Sequence, residues 1–215
     1  MEENTLTQLS PEEIRVLGAM LEKSKTTPDY YPMTLNSIQT ACNQKSARNP
    51  VVEYTEEDVV LALDSLKKKQ LSANVIGGGS RALKYRHTLA VAFPLDPAET
   101  SVLCLLFLRG PLTAGEINSN SGRLHDFDSL QEVQQTLENL ASYEVPFVKL
   151  LAKKPGQKEA RYCHCFAPYE ESNYSENSHE SSSKHAVLEE RLSLVETELA
   201  ELKENFDKLM KELMG

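Results

Sequence analysis

Three groups of residues carry side chains that could do chemistry. Cys163, His164 and Cys165 offer the thiols and imidazole that zinc takes, Gly77 to Ser80 has the look of a phosphate cradle, and scattered lysines and arginines could grip a polyanion. The first two fail on spacing. A strand sends alternate side chains to opposite faces, so Cys163 and Cys165 share one face and His164 takes the other. No second cysteine or histidine pair stands at usable spacing. A phosphate-binding loop runs through Lys-Ser or Lys-Thr into a helix, whereas the glycines here are flanked by strand-like runs and suit a hairpin tip. No zincin, nucleophile-elbow or kinase signature is present, and His125, after a polar turn, reads as a cap or surface residue rather than a general base. The expectation is a protein that is not an enzyme, with no catalytic residue, metal or cofactor.

The cations remain. Lys45, Arg48, Arg81, Lys84 and Arg86 in the first half, and Arg123, Lys149, Lys153, Lys154, Lys158 and Arg161 in the second, fall in turns and hairpins where phosphate contacts are made. A solvated charged face is the plain alternative for each. The net charge of −9 is unevenly distributed: residues 1–87 are neutral, residues 88–168 carry −2 and residues 169–215 carry −7. The two halves are thus short of the basic balance of a non-specific DNA binder.

The elements that must position these cations come in one order, used twice. Ser10, Pro11 and Glu13 form a helix-start signal with Leu9 placed to staple against Ile14, and Asp96, Pro97 and Glu99 repeat it 86 residues on. The first helix is expected to reach about Ser24. A loop from Thr26 to Met33 follows, its prolines excluding helix or central strand and its tyrosines expected to fold back on the core. Second helices start at Thr34 and at Thr113, the latter with Glu116 as capping partner. Third helices are expected after Thr55 and after Asp128, the latter with Gln131 at the capping position. Val59, Leu63 and Leu66 are matched by Val133, Leu137 and Leu140. Each half then closes with a hairpin whose second strand ends in a basic residue, Tyr, any residue and His: Lys84, Tyr85, His87 and Arg161, Tyr162, His164.

The fold class expected is mainly α with small β-hairpins: two tandem winged-helix domains (1–90 and 91–168) in preference to one compact core, a flexible linker (169–185) and a C-terminal coiled-coil helix (186–215). In that helix Leu188, Leu192, Val195, Leu199, Leu202, Phe206, Leu209 and Leu213 alternate steps of four and three. Such a seam, about 39 Å long at helical rise, would pair two copies as a homodimer. No run of about 18 apolar residues exists, and the N-terminus lacks a signal-peptide pattern, so a soluble cytoplasmic protein without membrane contact is expected. The four cysteines are too scattered for a disulfide framework.

Several short motifs occur together and in order: Tyr31-Pro32 with Leu35-Asn36, Ala41-Cys42-Asn43-Gln44-Lys45-Ser46, Gly79-Ser80-Arg81 with Lys84-Tyr85, Arg109-Gly110-Pro111 with Gly115-Glu116, Arg123-Leu124-His125 with Phe127, and Pro155-Gly156-Gln157 with Arg161-Tyr162. Over roughly residues 7–167 the chain resembles the YceH-like family of bacterial proteins. The resemblance implies a tandem winged-helix fold; it brings no established activity, and no catalytic or binding residue is carried over from it. Two functions are then expected: double-stranded DNA bound through the wings, as in a regulator or chromosome-associated factor, or a scaffold that docks partner proteins on its third-helix faces and tail. Against the first stand Glu56, Glu57 and Asp58 in the first turn of helix three, where a recognition helix meets DNA, although carboxylates also stabilise a helix N-terminus. In the second half Gln135 and Asn139 could read adenine edges.

Overall fold

The structure, a computed structural model, describes residues 6–77, 80–153, 157–169 and 203. Among them the chain is mainly helical with two small antiparallel sheets. Contacts divide it into Met1–Tyr174, which holds every element below, and Ser175–Gly215. The seam positions Leu188 to Leu213 and the linker from residue 170 onward lie outside the described residues.

The first half begins with α1 (Pro11–Thr26). Ser10 caps it, its hydroxyl accepting from the Glu13 N–H at 3.3 Å while the Glu13 carboxylate accepts from the Ser10 N–H at 2.6 Å. Burial runs without a break from Glu13 to Leu21, so α1 is covered on all sides and is a central helix rather than an amphipathic surface one. A 3-10 turn (Pro28–Tyr30) leads to the two-residue strand β1 (Met33–Thr34), α2 (Leu35–Cys42) and α3 (Glu56–Lys68). The hairpin β2 (Ser72–Gly77) and β3 (Ser80–His87) closes the half. β1 joins the free edge of β3, giving the order β1-β3-β2 with Met33 opposite Tyr85. The prolines keep this segment out of the sheet centre, as expected, but do not keep it out of the sheet. Of the two loop tyrosines, Tyr31 packs on the core and Tyr30 stands 80% exposed.

The second half repeats the plan. The short helix α4 (Leu89–Ala92), which no periodicity announced, buries Leu89 and leads to α5 (Pro97–Arg109), α6 (Ala114–Ser121) and α7 (Leu130–Ser142). The strands β4 (Val148–Leu150) and β5 (Tyr162–His164) pair last. Asp96 and Thr113 form reciprocal caps with Glu99 and Glu116. The α7 start differs from expectation: Ser129 is the cap and Glu132, not Gln131, reaches back, accepting from the Asp128 N–H at 2.7 Å. A carboxylate is the stronger acceptor, and it moves the helix start one residue on. Where the first half has β1, the second has one bridge, Leu112 to Tyr162, hydrogen-bonded in both directions at 3.0 and 2.8 Å. Thr34, the last residue of β1, and Thr113, one residue after the bridge, cap the second helices.

The division at residue 90 is not a division of the core. α5 is buried from Ser101 to Leu108 as α1 is from Glu13 to Leu21, and the two helices pack against each other in one continuous apolar cluster. They meet at Gly18, where an added Cβ would lie 2.9 Å from Phe107 Cβ and 3.0 Å from Leu108 Cδ2; only glycine lets the backbones come this close. Cys104, at the repeat-equivalent position 86 residues on, donates its thiol to the Gly18 carbonyl at 3.5 Å. Further bonds cross between the halves: Asn49 N–H to Leu108 O at 2.8 Å, Leu9 N–H to Phe166 O at 2.7 Å and Gln8 Nε2 to Cys165 O at 3.2 Å. Domains of about 80 residues are short of buried surface on their own, and merging two first helices offsets the shortage.

Candidate nucleic-acid interface

The cations sort into those that hold the fold together and those that face solvent. Arg48 belongs to the first kind, against expectation. Its side chain is inaccessible, its Nη2 lies 2.6 Å from Glu22 Oε2 and its Nη1 donates to Glu22 Oε1 at 3.1 Å. The same guanidinium donates to the Ala41 carbonyl and to Gln44 Oε1. Burial alone would raise the Glu22 carboxyl, but the bonds and charge of Arg48, with Lys23 beside it, hold it below the usual carboxylate range. Arg15 donates to Pro50 O at 2.6 Å, and Lys69 pairs with the buried Glu13 at 2.7 Å.

Arg161 is likewise engaged. Its two terminal nitrogens take both oxygens of Glu116 at 2.7 and 2.9 Å, and one also donates to Pro111 O at 2.9 Å. Geometry of this kind braces the start of α6 from the sheet and leaves few donors for phosphate. Arg48 and Arg161 are therefore withdrawn as phosphate contacts.

The remaining candidates face outward. Lys45, Arg86, Arg123, Lys149, Lys153 and Lys158 are exposed and Lys84 is half-buried, none with an ion pair to another described residue. The side chains of Arg81 and Lys154 fall outside the described part. Strand alternation puts Lys84 and Arg86 on one face of the first sheet, with their partners Thr34, Val75 and Ala73. Tyr85, paired with the buried Met33, packs on the core from the opposite face. Lys149 sits opposite Cys163 on the second hairpin, which also carries Lys153 and Lys158 in the connection between its strands.

One cation escaped the sequence reading. Lys25, exposed in the last turn of α1, acts with Arg86 on the half-buried His87: burial first, then these two charges, push that imidazole down to about 4. Lys25 also lines a small crevice between α1 and α5 together with Leu21, Ser101, Cys104 and Leu124, the last being the residue after Arg123. Lys25 thus stands near Arg86 through His87 and, across the crevice, near Leu124 of the segment that carries Arg123. In the sequence Lys25 looks like an ordinary cation at a helix C-terminus, and nothing local links it to Arg86 or to Leu124.

The third helices present unlike faces. α3 exposes Glu56, Glu57, Leu61, Asp64, Lys67 and Lys68. Asp58 is taken up in its reciprocal cap with Thr55. α7 exposes Gln131, Gln134, Gln135, Glu138 and Asn139, with Gln135 donating to Asn139 Oδ1 at 3.1 Å.

Other candidates gain no chemistry. Among the described residues no group of three or more His, Cys, Asp or Glu is placed to hold a metal. His164 is buried edge-on against Phe107, its ring nitrogens without partners, and burial pushes it down to about 4. Burial raises the thiols of Cys163 and Cys165, opposite to what a nucleophile needs. His125 stacks edge-on against Phe127 with Nε2 3.7 Å from Glu132 Oε1, near the α7 start. Among the described residues no helix is long and apolar enough to cross a membrane.

The family model described as "Protein of unknown function, DUF480" matches residues 9–157, from the first helix cap to the second hairpin. The chain belongs to this family. Among similar sequences, the UPF0502 protein of Shewanella piezotolerans is 44% identical over 206 residues, covering 91% of this chain and 94% of its own length. A UPF0502 protein of Pectobacterium atrosepticum is 43% identical over 215 residues, covering 94% and 98%. That of Citrifermentans bemidjiense is 48% identical over 155 residues, covering 72% of each. The resemblance drawn from the short motifs is borne out at the level of family. These names state no activity, so the role of the DUF480 body has to be argued from its surface.

Proposed function

We infer that this DUF480 protein is a tandem winged-helix protein that binds double-stranded DNA through phosphate contacts, as a regulator or chromosome-associated factor and not as an enzyme. The observation that carries this is the sorting of cations: those with structural duties are paired and partly or wholly buried, while Lys84, Arg86, Lys25 and Arg123 reach solvent with no ion pair to another described residue. Unpaired surface cations are what a duplex backbone recruits, because each contact releases condensed counterions. The three-helix and hairpin order, with the short strand joining the hairpin edge, supports the winged-helix reading. The acids on α3 oppose its entry into a groove, so the first hairpin grips and the amide face of α7 supplies any base contacts.

The cytoplasm is the compartment that suits this role. The apolar seam from Leu188 to Leu213 adds a proposal of self-association as a homodimer, which light scattering of a chain truncated after residue 185 tests by halving the mass.

The DNA reading is tested by titrating a labelled random duplex at two salt concentrations. Affinity is expected to fall steeply with salt, and charge reversal at Lys84 and Arg86 to reduce the logarithmic slope by about 0.9 for each lost contact. Absence of binding at low salt rejects it. A second reading, docking of partner proteins, is favoured locally by the apolar exposure on α3.

A further inference from the structure

The outward face of α3, which packs on the hairpin through β2, is a surface that the DNA reading leaves unused. Glu57, Leu61, Asp64 and Lys68 follow the spacing i, i+4, i+7, i+11 and share one stripe of α3. Leu61, in the middle of that stripe, is 63% exposed. Asp64 lies close enough to Tyr85 of β3 that its charge, after burial, helps raise the Tyr85 hydroxyl. Leu83, two residues before Tyr85 at the edge of the register shift in the hairpin, is 42% exposed. Leu61 and Leu83 are thus exposed apolar residues three and two positions in sequence from the neighbouring pair Asp64 and Tyr85, and Glu56 and Glu57 stand exposed at the helix start.

We propose that this surface docks a basic, amphipathic helical segment of a partner protein, apolar side chains on Leu61 and Leu83 and lysines or arginines on Glu57 and Asp64. The helix dipole accounts for acids in the first turn, but not for Asp64 in the third, and no dipole accounts for an exposed leucine between them. Charge selects the occupant. A duplex would meet carboxylates where it needs cations. Residues 169–215 of this chain carry a net −7, a charge that does not complement these acids, and a second copy would set the same acids against themselves. A cationic helix with an apolar stripe is the occupant that satisfies both features.

The test uses the full chain and a synthetic peptide of about 15 residues with leucines on one helical face and lysines on the other, beside a matched leucine–glutamate peptide. Leucine methyl NMR reads the site and fluorescence anisotropy the affinity. The expected result is saturable binding of the lysine peptide, shifts at the Leu61 and Leu83 methyls, and at least tenfold weakening in Leu61→Ala and in the double variant Glu57→Lys, Asp64→Lys, with no binding of the glutamate peptide. All three positions are solvent-facing, so the variants retain the fold, which the unshifted core methyls report. Unchanged affinity in both variants overturns the proposal, since the peptide would then be held by other acids such as those of residues 169–215. Shifts of Leu61 and Leu83 on adding duplex DNA also overturn it, by assigning the face to nucleic acid. Loss of DNA binding in Lys84 and Arg86 variants leaves these outcomes untouched, so the two readings fail separately.

Discussion

The two halves of the molecule share a plan and differ in how they secure it. In the first, an arginine from the turn after α2 is buried against α1, with Glu22, Gln44 and the Ala41 carbonyl around it. In the second, the arginine comes from the strand end and clamps Glu116 at the opposite end of the second helix, in partial contact with solvent. The third-helix faces differ in the same spirit: α3 sets Leu61 among acids in mid-helix, whereas α7 exposes mainly amides there and has its exposed leucine, Leu130, at the helix start. Duplication thus fixes backbone and core, while polar chemistry is free to diverge wherever a local partner can be found.

Replacing both arginines gives the widest contrast. Arg48→Ala leaves the half-buried Glu22 carboxylate with Lys23 as its remaining ion-pair partner and takes a donor from the Ala41 carbonyl, and a loss of about 3 kcal/mol is expected in chemical denaturation. A loss under 1 kcal/mol would mean that water reaches Glu22 and that the halves are braced alike.

Acid comes next, and it should treat the halves equally. His87 and His164 occupy matching strand ends and both fall to about 4 from 6.5. The unfolded chain binds these protons first as pH drops. The stabilising contribution is therefore complete above about 6.5 and is lost between there and 4, at up to about 1.4 kcal/mol per pH unit for each histidine. His164→Phe should halve the slope of stability against pH over that window; an unchanged slope would place the acid sensitivity elsewhere.

Gly18→Ala addresses the join itself. The added methyl meets Phe107 Cβ, which cannot swing aside as a side-chain tip can, and a cost of about 1–3 kcal/mol is expected. Because the core is shared, thermal unfolding should stay a single transition at lower temperature. Two separated transitions would show that each half stands alone. The smallest effect is expected from Arg161→Ala, about 1 kcal/mol or less, since water screens a pair this exposed.

Much of this was legible in the chain. Ser10 with Glu13, Asp96 with Glu99 and Thr113 with Glu116 are local signals, complete within four residues, and each helix starts where they say. Hairpin ends at His87 and His164 could be read from pattern in the same way. What escaped depends on distant partners. Nothing around Arg48 announces Glu22, 26 residues earlier, and nothing around Gly18 announces Phe107; only the folded chain brings them together. Lys25 was missed for the same reason, as its meaning comes from Arg86 and Leu124.

The bond from Leu9 to Phe166 has a topological consequence. It places the entry and exit of the folded body side by side, and Gln8 reaches the neighbouring Cys165 carbonyl as well. A circularly rearranged gene could therefore join residue 6 to residue 169 by a short tether and open new ends in the exposed turn near Gly122, keeping every interior contact in place.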